Sequence, residues 1–283
     1  MDFSELSHQR EIRESLNKIF SEKCSSEKLK KFDNEFKHDE SLYDFLATNG
    51  YLGLGINEKL NGSGEDLYDL GILFECLGFY AVPLSLTGCL VDVAQTLQKF
   101  SKNDNHQSIV SSITKGEVYT SAILEPLNHD PENPTTTAVF DGDKVIINGS
   151  KYLSEISSLA KGILISASSN KGVILVLVKT DKVKLTQLTS TANSPLFKVE
   201  LNNVSIEQSN IVHQEGRGLE TLRYLLQINM VMRSYIALGV TNKMTSLIAS
   251  YTSEREQFGR VIGTFQAVSH RAADCFIAVS YTH

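Results

Sequence analysis

The residues best equipped for chemistry cluster near the C-terminal end, in Ser250-Tyr-Thr-Ser-Glu-Arg-Glu-Gln-Phe-Gly-Arg-Val-Ile-Gly-Thr-Phe-Gln266. Arg255 offers a planar fork suited to two phosphate oxygens, and Gln257 and Gln266 are uncharged amides that both donate and accept. Phe258 adds a flat apolar face. A pyrophosphate joined to an aromatic base would complement this set. A plainer reading also stands, in which Arg255 interacts with its own helix C-terminus and Phe258 is ordinary core. Other chemistries find less support. The seven histidines form no HxxxH or HxH pair, so no metal site is expected. The four cysteines include no close pair, which argues against a zinc cage or a CxxC centre and for free thiols in a reducing compartment. There is no Gly-x-Ser-x-Gly elbow. The glycines after Asn61 lack the Lys-Ser/Thr of a phosphate cradle and read as a surface loop.

Helices must position the Arg255 cluster. Leu222, Leu226, Met230, Ile236, Val240, Met244, Leu247 and Ile248 recur at helical spacing and predict one long helix running to Gly259, where a left-handed glycine would close it. Gly263 would then break the chain, and the Thr264 hydroxyl would cap a second helix bearing Phe265, Val268, Ala272 and Phe276. Two helices are thus expected to meet at a tight corner. His270 shares a face with Gln266 and is read as a packing or capping residue.

Upstream, residues 1–100 read as helical. Leu6, Ile12, Leu16, Ile19 and Phe20 keep a helical period; a second helix is expected from Glu40 to Asn49, ending before Gly50. A further helix bears Leu67, Leu70, Leu73 and Leu77, with Glu65 and Asp66 at its favourable N-terminal end. From Tyr119 the period shortens towards two. Val145-Ile-Ile, Gly162-Ile-Leu-Ile, Val173-Ile-Leu-Val-Leu-Val and Lys198-Val-Glu-Leu are short apolar runs separated by turn residues, which predicts a small antiparallel barrel or sandwich. The expected division is a helical bundle over 1–118, a β domain over 119–213 and a helical domain over 214–283, an α+β multidomain class.

At 283 residues the chain has room for a sizeable core, and 41% hydrophobic with 21% charged residues is an ordinary globular composition. A formal net charge of −6 argues against nucleic acid or an anionic membrane as a general partner. The N-terminal residues lack the pattern of a secretory signal and no run is long enough to span a membrane, so a cytoplasmic protein is expected.

The spacing of Tyr251, Arg255, Gln257, Phe258, Gly259, Ile262, Phe265, Gln266, His270, Ala273 and Asp274 resembles the signature of the acyl-CoA dehydrogenase family, flavoenzymes that oxidise acyl thioesters. Gly50-Tyr-Leu-Gly-Leu-Gly-Ile-Asn-Glu-Lys-Leu-Asn-Gly-Ser-Gly64 followed by Phe74-Glu-Cys-Leu-Gly78 is similar to the family's N-terminal domain, and Ala122-Ile-Leu-Glu-Pro126 and Ile147-Asn-Gly-Ser-Lys151 match landmarks of its β domain. The resemblance implies FAD held between protomers. Arg255, Gln257 and Gln266 would reach the FAD of a neighbouring subunit, with Phe258 lining it. Leu124 and Glu125 would offer main-chain groups to the flavin ring. It also implies an acyl-CoA substrate, a 2-enoyl-CoA product, a homo- or hetero-oligomer, and an electron-transfer flavoprotein as acceptor.

The pattern is broken in places. The family commonly has a glycine-rich run with a serine after Glu-Pro, whereas this chain reads Leu127-Asn-His-Asp-Pro131. Where the family sets an aromatic residue and a threonine against the flavin, Leu153 and Glu155 stand here, and a carboxylate there would disfavour an anionic reduced ring unless turned away or protonated. Removing an α-proton needs a carboxylate base. In some relatives it directly precedes an arginine on the long helix; Arg233 resembles that arginine and is a candidate for the substrate region, but Met232 precedes it. Elsewhere in the family the base lies farther along than position 283. No catalytic base is therefore assigned, and Glu254 and Glu256 are read as solvated helix charges. Two further readings follow: a non-catalytic subunit lending Arg255 to a complete partner, and an inactive fragment whose uncovered apolar helix face would demand a partner.

Overall fold

The computed structural model describes residues 5–64, 66–156, 158–191 and 194–282; Glu65, expected near a helix start, lies outside them. Helices come first: α1 (Ser7–Lys23), α2 (Ser26–Glu35), α3 (Glu40–Thr48), α4 (Leu67–Phe79), a π-helix (Thr87–Gln95), α5 (Thr96–Phe100) and α6 (Asp104–Ile113). Strands follow: β1 (Tyr119–Ala122), β2 (Thr137–Asp141), β3 (Lys144–Glu155), β4 (Gly162–Ser169), β5 (Gly172–Lys179), β6 (Lys184–Leu188) and β7 (Leu196–Glu207). The chain closes with α7 (Gly218–Glu254), the short strands β8 (Glu256–Gln257) and β9 (Arg260–Val261), and α8 (Gln266–Thr282). The order helical, β, helical is the expected one.

Local chemistry accounts for several of these ends. Asp39 caps α3 by accepting from the Leu42 amide, and Gly50, at φ 80°, turns the chain just beyond it. Gly218 opens α7 where no side chain fits: a Cβ there would stand 1.8 Å from the Val173 carbonyl oxygen.

The chain divides into two compact units, Met1–Leu29 with Gly71–Val82 and Met232–His283, and Lys30–Leu70 with Pro83–Val231. The second unit holds the seven-stranded sheet, ordered β1-β4-β2-β3-β7-β6 with β5 beside β4. Most pairings are antiparallel, but β1–β4 and the single β2–β4 pairing are parallel, so the sheet is mixed. Its core takes alternate residues from the strands, among them Val145, Ile147, Ile163, Ile165, Val176, Val178, Val199 and Leu201. These are the apolar runs visible in the sequence.

In the first unit, glycines bring α4 and α7 close. A Cβ on Gly78 would meet the Ile236 carbonyl oxygen at 2.1 Å, and one on Gly239 the Glu75 carbonyl oxygen at 1.9 Å. Glu75, itself buried, pairs with Arg13 of α1 at 2.9 Å. The long helix exists as the periodicity predicts, but its buried stripe is Leu222, Leu225, Ile228, Met232 and Leu238. Met230, Met244, Leu247 and Ile248 are exposed.

Candidate functional site

The corner around Arg255 is built differently from the expected helix-to-helix bend. Helix α7 stops at Glu254, and β8 and β9 pair Glu256 with Val261 and Gln257 with Arg260. The two turn residues, Phe258 (φ 55°) and Gly259 (φ 78°), both have positive φ, as a type I′ hairpin requires. Gly259 therefore closes a hairpin turn and not a helix. The Ile262 amide donates to the Arg255 carbonyl at 2.8 Å and closes the base of the hairpin. Thr264 does not cap α8 either: its hydroxyl donates backwards to the Val261 carbonyl at 2.6 Å, within a short 3-10 turn.

This hairpin projects the candidate side chains outward. Arg255, Gln257 and Gln266 are all exposed, and Arg255 has no side-chain hydrogen bond or ion pair among the described residues. Phe258 is 92% exposed. A bulky residue at positive φ is a conformational outlier, held here at the hairpin turn. The Phe258 ring meets Phe265 edge-on at 6.2 Å, and the Arg260 guanidinium lies 4.1 Å over the Phe265 ring. Arg260 is a member of the cluster that sequence reasoning missed; its contact depends on the hairpin register, which no spacing rule exposed. His270, on α8 one turn beyond Gln266, is exposed.

Arg233 lies on α7 and is exposed, directly after buried Met232. It belongs to the first unit with the hairpin, whereas Leu124 and Glu125 belong to the second.

There the geometry departs most from sequence reasoning. Leu124 is 47% exposed and its carbonyl accepts from the Tyr152 amide at 2.8 Å. The Glu125 side chain turns inward and meets Lys151 at 2.7 Å, with the two side chains 2% and 0% exposed. Its carboxylate also accepts from the Thr135 amide (2.6 Å) and hydroxyl (2.7 Å), the Thr136 amide (2.8 Å) and the Asn128 side-chain amide (3.0 Å). The Lys151 ammonium donates in addition to the Ser166 hydroxyl (3.1 Å) and the Ile123 carbonyl (3.3 Å). Burial would raise the Glu125 carboxyl, but the hydrogen bonds from Lys151, Thr136, Asn128 and Thr135 outweigh it and hold the group well below the usual carboxylate range. Both partners of the pair were visible in the sequence as landmarks, yet nothing there joined them.

Glu155 sits half-buried at the end of β3, its carboxylate accepting the Ser85 hydroxyl. A second buried acid, Asp92 on the π-helix, accepts from the Ser121 hydroxyl and from the Asn229 amide at 2.7 Å. Neither contact was legible from spacing.

A family model for the acyl-CoA dehydrogenase N-terminal domain matches residues 7–117, and one for the acyl-CoA dehydrogenase C-terminal domain matches residues 216–282. The chain is 25% identical to acyl-CoA dehydrogenase FadE27 of Mycobacterium tuberculosis, over 99% of this chain and 74% of that protein. In fold it resembles the ChsE4-ChsE5 complex of Mycobacterium tuberculosis (TM-score 0.91, 24% identity, 99% and 76% covered) and the FAD complex of PigA (TM-score 0.91, 22% identity, 99% and 77% covered). Among the described residues no helix is long and apolar enough to cross a membrane. With the helical regions at both ends matched by models of one family, the protein belongs to the acyl-CoA dehydrogenase family.

Proposed function

We propose that the chain serves FAD-dependent α,β-dehydrogenation of an acyl-CoA thioester to a 2-enoyl-CoA, within a cytoplasmic homo- or hetero-oligomer that passes electrons to an electron-transfer flavoprotein. One observation carries the reading: Arg255 stands exposed and without a side-chain partner among the described residues, on a hairpin whose tip holds Phe258 at positive φ and 92% exposed. An unpaired guanidinium beside a strained, outward aromatic fits a pyrophosphate and its attached rings. Arg255, Gln257 and Gln266 would hold the FAD of an adjoining subunit, with Phe258 against it. Leu124 and Glu125 would meet the flavin ring through main-chain groups, and Arg233 would face the substrate. FAD, when bound, accepts the hydride that leaves the acyl β-carbon. The Glu155 carboxylate, engaged by Ser85, is turned to a neighbour, which lessens its conflict with a reduced flavin.

The test is direct. The purified chain, alone and with a co-expressed family subunit, is assayed for bound flavin and for enoyl-CoA formed from acyl-CoA with an electron acceptor. Protein that remains colourless and gains no flavin when FAD is added rejects the reading.

A second reading is favoured by Met232, which is buried and cannot accept a proton at the place where some relatives carry the base. In this reading the chain is a non-catalytic subunit that lends its hairpin to a complete partner, and the fold likeness to the two-component ChsE4-ChsE5 complex supports it. Turnover by the chain alone, as a homo-oligomer, would rule it out.

A further inference from the structure

Two exposed leucines in the β domain have backbone conformations that leucine rarely adopts. Leu127 has φ 60° and is 99% exposed; Leu153 has φ 56° and is 48% exposed. Each stands two residues beyond one member of the buried pair, Leu127 after Glu125 and Leu153 after Lys151. A strained residue persists only where its surroundings over-determine it, and an exposed side chain contributes little packing of its own. The constraint must come from below.

The hydrogen bonds around the pair supply it. Lys151 ties β3 to the end of β1 through the Ile123 carbonyl and to β4 through Ser166. Glu125 gathers the returning loop by taking the Thr135 and Thr136 amides and the Asn128 side chain. The Tyr152 amide joins the two strained segments at the Leu124 carbonyl. Beta pairing is interrupted in the same place, with a register shift between Lys151 and Ser154 against β7. A bulge of this kind re-aims side chains at a functional edge.

We propose that Glu125 and Lys151 are positioning residues, a buried ionic clasp that holds Leu124, Leu127 and Leu153 outward as an apolar rim for the ring system of the flavin; this rests on the reading of Leu124 and Glu125 given above. Apolar side chains thereby take the places where the family has small residues and an aromatic. The rim suits a flat, weakly polar ring, and the clasp keeps its charges out of reach of that ring.

A positioning role separates from a merely structural one in the double variant Glu125→Met/Lys151→Met. Replacing a buried ion pair by apolar residues of similar volume is often neutral for stability. Because the Thr135 and Thr136 amides lose their acceptor, the variant is expected to lose less stability than either single substitution rather than none, to bind FAD at least tenfold more weakly, and to alter the fine structure of the visible flavin band. Hydrogen exchange reads the same device without flavin: the Thr135 and Thr136 amides are expected to be protected in the parent and to exchange at least tenfold faster in the variant. Should the double variant fold poorly, Thr135→Val, which removes one hydroxyl from the carboxylate, is expected to show the exchange effect at Thr136 alone. Unchanged FAD affinity with unchanged exchange would overturn the clasp. A parent chain that binds no FAD at all would instead remove the flavin reading, and exchange at Thr135 and Thr136 would still decide whether the clasp holds the loop.

Discussion

Cutting the Glu125–Lys151 pair on one side only should be far more harmful than removing it whole, and the two halves should fail with opposite pH dependence. In Lys151→Met the Glu125 carboxylate stays buried with its four neutral donor contacts and no cation. In Glu125→Gln the ammonium loses its counter-charge and keeps a carbonyl, a hydroxyl and at most one amide oxygen as acceptors, while the new NH2 faces the Thr135 and Asn128 donors. Breaking a buried pair in this way costs about 3–5 kcal/mol. The remaining donors on Glu125 place Lys151→Met at the lower end, about 3 kcal/mol, and Glu125→Gln at the upper end.

The signs follow from the folded-state pKa values. The Glu125 carboxyl is held low in the parent, so its contribution is complete above the unfolded value of about 4.3 and fades as the pH falls. Without Lys151 its folded pKa rises, and protonation then relieves the buried charge. The deficit of Lys151→Met should therefore shrink between pH 7 and pH 4. Burial already pulls the Lys151 ammonium down to about 8, against the opposing pull of Glu125. Without that carboxylate it falls further, so the lysine sheds its proton earlier and the deficit of Glu125→Gln should shrink as the pH rises towards 8. The chain has no tryptophan, so urea unfolding is best followed by circular dichroism at several pH values. Deficits under 1 kcal/mol at pH 7, or deficits that move the same way with pH, would refute this reasoning.

Other outcomes are expected. Phe258→Gly should relieve the positive φ of the hairpin turn, raising stability by about 1 kcal/mol while weakening FAD binding, as measured by thermal melting beside flavin titration. Gly239→Ala would push a methyl group to within 1.9 Å of the Glu75 carbonyl oxygen, and the forced separation of α4 from α7 should cost about 3 kcal/mol in urea unfolding. Burial pushes the Cys76 thiol up to about 12 and that of Cys89 to about 11, so both should resist alkylation at pH 8 in the native state, while exposed Cys275 reacts readily; mass spectrometry of labelled peptides reads this.

How much of this was legible beforehand depends on the range of the interactions involved. Local signals carried far: the β runs at Val145, Gly162, Val173 and Lys198 became β3, β4, β5 and β7, and Gly50 ends the turn after α3 where a glycine stop was expected. Spacing failed where tertiary contacts choose among permitted backbones. Gly259 is equally able to end a helix or close a type I′ turn, and the pairing of Glu256–Gln257 with Arg260–Val261 decides for the turn. The buried stripe of α7 falls on Leu222, Leu225, Ile228 and Met232 because apolar residues lie on several faces of this helix, so that more than one helical spacing can be traced along it. The Glu125–Lys151 clasp joins residues 26 positions apart, and only the folded sheet brings them together.

The central claim is that the Arg255 hairpin grips FAD, and titrating FAD into Arg255→Glu beside the parent protein tests it most directly. The side chain is exposed and unpartnered among the described residues, so the substitution should leave the melting transition in place. Affinity is expected to fall at least tenfold, the equivalent of about 1.4 kcal/mol, by loss of one charge-assisted fork and gain of repulsion towards the pyrophosphate. Equal FAD affinity in the two proteins, with both folded, would contradict the account.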